Sequence, residues 1–202
     1  EAYRISNREN RSAGDGYTHS VQGSYIYKAP KNLAEQLRFF CSCKNADADT
    51  FIGQLIQELR PSLIGIDAPL SLPLVYQQPD LVEPSFFYRQ ADKAINAMSP
   101  MFLGGLTARA MQLKASFPSV NWVEVYPGGL VKIAQLEGYS KKDKSLIPAF
   151  LDMLHAKYGI SVHQDVKTWH EVDAMLAWFA SYRYLHGHAI AYGNPKEGLI
   201  YV

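Results

Sequence analysis

Apolar and polar positions fall along this chain in two periods, and the changes of period divide it into helices and strands. DADTFIGQLIQELR puts Phe51, Ile52, Leu55, Ile56 and Leu59 on one stripe, the spacing of an amphipathic helix, and Pro61 stops it. SLIGID, bounded by Pro61 and Pro69, is an apolar run of strand length, as expected for a strand buried on both faces of a parallel or mixed sheet. The prolines from Pro69 to Pro84 forbid a regular element, so a long loop leaves the end of that strand, where α/β proteins usually carry their sites. FFYRQADKAINAM and LTARAMQLKASF read as helices joined by SPMFLGG, whose paired glycines permit a tight turn. NWVEVYP is the next strand, and Pro127 is placed to open the helix GLVKIAQLEG from its first position. SLIPAFLDMLHAKYG is helical, with Pro148 tolerable in the first turn and Gly159 as its stop. VKTWHEVDAMLAWFASYRYLHG is apolar almost all round, which predicts a central helix, and GLIYV closes the chain as a strand.

The first thirty residues are less regular. SNRENRSAGDGYTHSVQG is polar and turn-rich, while SYIYKA alternates as a strand does, which predicts a hairpin or a strand preceded by a mobile loop. Asn32 can cap the helix NLAEQLRFFCSC. Position 1 is Glu, and AYRIS already reads as the middle of an extended segment, which leaves room for residues upstream. With 202 residues and 48% hydrophobic composition the expectation is one α/β domain spanning 1–202, with a helical insertion at about 83–118 after the SLIGID strand.

Charge and cysteine content narrow the class. Lys+Arg 20 against Asp+Glu 19 leaves no sequence-wide basic field, so a nucleic-acid partner needs a local basic groove. Cys41 and Cys43 lie two apart on a helical pattern and point to different faces, which argues against a mutual disulfide. No apolar run approaches the ~20 residues that span a bilayer, and no basic-then-apolar leader opens the chain. The expectation is a cytoplasmic protein with no membrane partner.

Three acids carry the chemistry. Asp67 follows Leu63, Ile64 and Ile66, so its carboxylate sits where a buried strand meets the sheet edge; its ordinary alternative is a turn cap beside Pro69. Asp173 lies among Trp169, Val172, Ala174, Met175, Leu176, Ala177 and Trp178, and an ionised group on so apolar a helix needs a partner, either a bound cation or a neighbouring Arg or Lys. His170, three residues earlier, shares its face. Glu124 is the acid of the NWVEVYP strand, buried or solvent-facing by alternation with Trp122 and Tyr126. Carboxylates converging from two strands and a helix suit hard divalent cations, Mg2+ or Mn2+, which activate water for phosphodiester hydrolysis.

IGIDAPLSLP, YRQADKAI, LGGLTARAMQL, VEVYP, HEVDAMLAW and EGLIYV occur in the order of the domain of unknown function 429 family, which the chain resembles over residues 62 to 202. That family is regarded as predicted nucleases of RNase H-like fold. The resemblance implies an RNase H-like mixed sheet flanked by helices on both faces, and it implies Asp67, Glu124 and Asp173 as metal-binding, catalytic acids. VDAMLAW is also similar to the acidic helix of RNase H-like Holliday-junction resolvases. Such a fold opens on a strand carrying an Asp, and residues 1 to 30 show none: Asp15 sits in a Gly-Asp-Gly turn, so that strand lies upstream of Glu1 or the ligand is lacking.

Cationic residues complete the expected site. Arg89 and Arg109 can grip phosphate oxygens, the alternatives being an Arg89–Asp92 ion pair and an Arg109 that packs its stem. Of the run Lys141, Lys142 and Lys144, Lys142 is expected to steady substrate phosphate. The leading expectation is a metal-dependent nuclease or phosphodiesterase acting on nucleic acid or nucleotide. One rival is an ATP-dependent phosphotransferase of related fold, although Gly104 and Gly105 are too little for a phosphate loop. The other is a catalytically degenerate nucleic-acid or nucleotide-binding module.

Overall fold

The computed structural model describes residues 2–8, 16–22, 47–80, 84–162 and 165–202. The expected strand SYIYKA, the helix NLAEQLRFFCSC with Cys41 and Cys43, and the turn at Asp15 lie outside them. The protein is α/β, and its sheet runs in the order β2 (Gly16–Gln22), β1 (Ala2–Arg8), β3 (Leu63–Asp67), β4 (Asn121–Val125), β6 (Gly198–Tyr201), β5 (Ala191–Asn194). Strands β3, β4 and β6 are parallel, while β1 and β2 on one side and β5 on the other run antiparallel to their neighbours. Neither β1 nor β2 contains an acidic residue.

The two faces of β3 follow from its pleat. Leu63 packs into the core built by α5 (Pro127–Ile133), α6 (Ile147–Tyr158) and α7 (Trp169–Leu185). Ile64 and Ile66 pack into the opposite core with α1 (Ala48–Leu59) and α4 (Gly105–Ser116). A strand buried on both sides has to be apolar throughout, which is why SLIGID reads as one unbroken run. Gly65 is required for close approach: a Cβ there would lie 1.8 Å from Ser181 Oγ of α7.

Local chemistry sets the helix ends. Thr168 and Glu171 form a capping box at the start of α7, and Gly159, at φ 67, ends α6. The helix expected over FFYRQADKAINAM is shorter, α2 (Gln90–Ile95). The backbone N–H of Arg89 donates to Asp92 Oδ2 at the N-terminus, and Asn96 at φ 52 closes the other end. The expected SPMFLGG turn contains a single helical turn, α3 (Pro100–Leu103), capped by Ser99. Strand β5 was not apparent from the hydrophobic pattern; AYGN is only four residues long, with Tyr192 its one large apolar side chain, and it pairs with β6. No described helix is long and apolar enough to cross a membrane.

Candidate active site

The C-terminal ends of β3 and β4 open onto a cavity of about 350 Å³, the usual location of a site in a parallel sheet. Asp67, Glu124, Tyr126, Lys141, His170 and Asp173 line it, and Ala97, Met98, Leu103 and Leu106 form an apolar wall. The pleat decides how the acids relate. Asp67 has the parity of Leu63 and Gly65 and so projects to the α7 side, where Asp173 stands in the second turn of that helix. Glu124 is in register with Ile66 and takes the opposite face.

Asp173 is buried, and both its oxygens accept hydrogen bonds. Oδ1 accepts from the Tyr139 hydroxyl at 2.5 Å and Oδ2 from Lys141 Nζ at 2.7 Å. Tyr139 packs edge-on against Trp169 and beside Phe150, which fixes its ring. Burial pushes the Tyr139 pKa up and the charge of Asp173 adds to this, so the phenol remains a donor. Burial disfavours the Lys141 ammonium, but the fields of Asp173 and, less strongly, Asp67 outweigh it and hold its pKa above the ordinary value. Tyr126 is raised by burial and then by Asp67. Asp67, Asp173, Lys141 and Tyr126 therefore act as one electrostatic group. Burial lowers the pKa of His170 below its ordinary value, and Asp173 pulls against that shift.

On the other face, Arg89 is fully buried and commits all five of its N–H donors. Nε and one Nη2 hydrogen go to Asp92 at 3.1 and 2.6 Å. Nη1 and Nη2 hold Glu124 at 2.7 and 2.5 Å, and the remaining Nη1 hydrogen reaches Ser71 Oγ at 2.9 Å. Burial opposes the charge, and the hydrogen bonds to Glu124 and Asp92 outweigh it, keeping the pKa of Arg89 above its ordinary value. Glu124 Oε2 also accepts the Leu70 N–H at 2.8 Å. Burial raises the Glu124 pKa, with Arg89 pulling against it.

These contacts correct several expectations. Arg89 has no donor left for phosphate and is the ion-paired residue of the alternative reading. Glu124 borders the cavity, yet both its oxygens are held by the guanidinium of Arg89, which is fully buried and cannot move aside as the exposed Lys141 can from Asp173, so Glu124 is the poorer metal ligand. Arg109 pairs with Asp49 at 2.9 Å, tying α4 to α1, and does not line the cavity. Lys142 is exposed and does not line it either; its neighbour Lys141 does. Tyr139 carried no signal in the sequence, whereas the basic run marked the segment of Lys141.

Asp67 and Asp173 have the chemistry of ligands for a hard cation, as carboxylates on one face of one cavity, and the lysine held against Asp173 has a side chain 57% exposed. Among the described residues no group of three or more His, Cys, Asp or Glu is assembled to hold a metal. No protein-family model matches the chain, and no curated protein or solved structure matches it either. The likeness to the domain of unknown function 429 family thus rests on the sequence motifs alone.

Proposed function

We propose that the protein is a divalent-cation-dependent phosphodiester hydrolase of RNase H-like architecture, with Asp67 and Asp173 as the acids that hold Mg2+ or Mn2+. The observation that carries this reading is the shared cavity, which brings together a strand-end acid and a buried helix acid from distant parts of the chain. The mixed sheet, with an antiparallel hairpin beside its parallel strands and an acid-bearing helix packed across it, supports the fold assignment.

When bound, the cation lowers the pKa of a water and polarises a phosphoryl oxygen. The chain's own groups prepare for that. Tyr139 fixes the Asp173 rotamer through its O–H. Lys141, on an exposed stem, can leave Asp173 for a substrate phosphate, offering a compact positive charge there. His170, at the cavity wall, can accept the proton that the attacking water releases as the phosphorus–oxygen bond forms. Arg89 and Glu124 anchor the loop after β3 through Ser71 and Leu70.

The phosphotransferase reading gains no phosphate loop from the segment after β4. Gly128 and Gly129 follow β4 as a phosphate loop might, but a Cβ on Gly129 would lie 2.8 Å from the Tyr126 ring, so these glycines make room for that ring. The binding-module reading is favoured by one observation, the Lys141 ammonium already seated on Asp173. Hydrolysis of bis(p-nitrophenyl) phosphate with Mn2+, together with Mn2+ calorimetry, separates the readings. Wild-type protein is expected to hydrolyse the ester, and Asp173→Asn to lose that activity with at least about tenfold weaker Mn2+ binding and little loss of fold. Unchanged hydrolysis in the variant removes the metal role. Mn2+ binding without turnover supports the binding module, and stabilisation by ATP with Mg2+ supports the phosphotransferase.

A further inference from the structure

Tyr126 is a titratable group of the cavity that the proposed reaction leaves unused. It is the first residue after β4 and the N-cap of α5, half-buried, and it lines the cavity together with Asp67 and Asp173. Its ring packs against two hydrophobic clusters at once, the core around α7 and the small group of Ala91, Ile95 and Ile200. The first turn of α5 holds it from a third direction. A Cβ on Gly129 would lie 2.8 Å from the ring atom Cδ1, and a Cβ on Gly128 would lie 2.9 Å from the phenol oxygen and 3.0 Å from Cζ. Two successive positions without side chains therefore let the ring lie against the helix start, and they fix the hydroxyl as well as the ring. That hydroxyl has no hydrogen-bond partner among the described residues, whereas Tyr139 gives its own to Asp173. Packing on both sides calls for the ring alone, and phenylalanine would supply it. A half-buried oxygen left without a partner is a cost that packing does not explain.

We infer that the Tyr126 hydroxyl is a substrate-contacting donor, giving its hydrogen bond to an oxygen of the phosphoryl group received by the cavity of Asp67 and Asp173. The inference rests on the phosphodiesterase reading of that cavity and adds a group that meets the substrate. The cavity wall is acidic: Asp67 and Asp173 face Lys141, which is already paired with Asp173, and Glu124 is held by Arg89. A phosphoryl group beside such acids calls for a donor that need not first leave an ion pair and that keeps its proton in their field. Lys141 fails the first condition, and His170 serves as a proton acceptor. Tyr126 meets both. Burial and the charge of Asp67 raise its pKa, so the acids that oppose a phosphate also keep this phenol protonated. A donor clamped by two clusters and a helix turn needs no reorganisation as charge shifts onto the phosphoryl oxygens.

The test is Tyr126→Phe, which keeps the ring and both glycines and removes one O–H. Its kcat/KM for bis(p-nitrophenyl) phosphate with Mn2+ should fall about 10- to 100-fold, the size of a lost hydrogen bond to a charged group, with melting temperature and Mn2+ affinity as in wild type. Gly128→Ala reaches the same oxygen from the helix: its Cβ displaces the phenol, while alanine suits a helical position. It should lose activity to a similar degree, and the double variant should fall no more than about threefold below Tyr126→Phe, because both changes act on one hydroxyl. Binding of inorganic phosphate with Mg2+, followed by calorimetry and by the tyrosine ultraviolet difference spectrum, is read apart from turnover. Wild type should give a tyrosine signal that Tyr126→Phe lacks. Hydrolysis and phosphate binding by Tyr126→Phe within about twofold of wild type overturn the donor and leave the reaction class standing. A loss accompanied by lower Mn2+ affinity or a lower melting temperature, or losses that multiply in the double variant, also overturn it. Should Gly128→Ala fail to fold, Tyr126→Phe decides alone. A wild-type protein that neither hydrolyses the ester nor binds phosphate overturns donor and reaction class together. Phosphate binding with the Tyr126 signal but without hydrolysis upholds the donor and removes the reaction.

Discussion

Replacing Arg89 by Ala removes one positive charge from between two carboxylates in a fully buried site, and the size of the effect can be worked out. Breaking a buried pair typically costs about 3–5 kcal/mol, because the surviving charge is stranded. An upper limit per carboxylate comes from protonation. If stranded Glu124 takes up a proton, with an ordinary pKa of about 4.3, the penalty at pH 7 is about 3.7 kcal/mol, and it falls by about 1.4 kcal/mol for each unit of pH toward 4.3. The sign is fixed by linkage. A carboxyl whose folded pKa is raised favours the folded state below its unfolded pKa, and that contribution is lost as pH rises. Arg89→Ala is therefore expected to be about 3–5 kcal/mol less stable than wild type at pH 7, about 6–20 °C in melting temperature for a domain of this size, and to recover much of the deficit by pH 5.

Glu124→Gln sharpens the comparison. The amide oxygen can keep the Leu70 N–H, while its NH2 meets the guanidinium, donor against donor, at a cost of about 1–3 kcal/mol partly offset by losing one excess negative charge. A smaller loss than in Arg89→Ala is expected, with Mn2+ affinity unchanged. The measurements are urea unfolding at pH 5 and 7 and Mn2+ titration of both variants. An Arg89→Ala protein within about 1 kcal/mol of wild type at pH 7, or a deficit independent of pH, refutes the charge argument. A Glu124→Gln protein that melts normally but loses Mn2+ binding makes Glu124 a ligand after all.

Gly65→Ala should destabilise by about 1–3 kcal/mol by pushing α7 off β3, since its Cβ would stand 3.0 Å from Ser181 Cβ even if the Ser181 hydroxyl rotates away. Adding Ser181→Ala should recover part of this in a double-mutant cycle on urea unfolding, and strictly additive effects refute the contact. Glu197→Ala strands the Leu74 and Gln90 N–H groups, which Glu197 accepts at 2.8 and 2.6 Å; a loss of about 1–3 kcal/mol and faster amide exchange at those two positions are expected. The Lys141 pKa is raised in the folded state, so its pairing stabilises below the unfolded lysine value of about 10.4 and is lost as pH rises through the higher folded value. The difference in unfolding free energy between wild type and Lys141→Met, measured from pH 8 to 12, should be about 1 kcal/mol or less at pH 8 and vanish on the alkaline side, the Tyr139 contribution being common to both proteins.

Elements that bury a continuous surface were legible because period and burial have one cause. The stripe of α1, the unbroken SLIGID and the all-round apolar α7 each announce how many of their sides are covered. Elements too short to show a period were not. Strand β5 is AYGN, four residues with Tyr192 its one large apolar side chain, and α2 ends where Asn96 takes up a left-handed conformation that no hydrophobic pattern records. The segments that bear on the site divide in the same way. Asp67 and Asp173 could be singled out because each is an acid in apolar surroundings, a conflict visible in one dimension.

Glu124 shows the same conflict and resolves it differently, and the reason lies in the sheet. Which face a strand-end acid takes depends on register, and the pairing of Ile66 with Glu124 puts that carboxylate across the sheet from Asp67. Once on that face it needs a cation, and the nearest is fixed by α2. The Arg89–Asp92 spacing of three residues lets one carboxylate use only part of the guanidinium, leaving Nη1 and Nη2 to reach Glu124. An Arg three residues from an Asp can be read as a closed surface pair; buried, it is an open one, with donors still to satisfy. The same arithmetic applied to α7 gives the opposite result. Asp173 has Tyr139, which cannot neutralise it, and Lys141, whose stem is exposed enough to leave. The two carboxylates thus differ in how easily their cation is exchanged, and that difference, more than proximity to a strand end, is why the proposed function assigns the metal to Asp173 and leaves Glu124 a structural part.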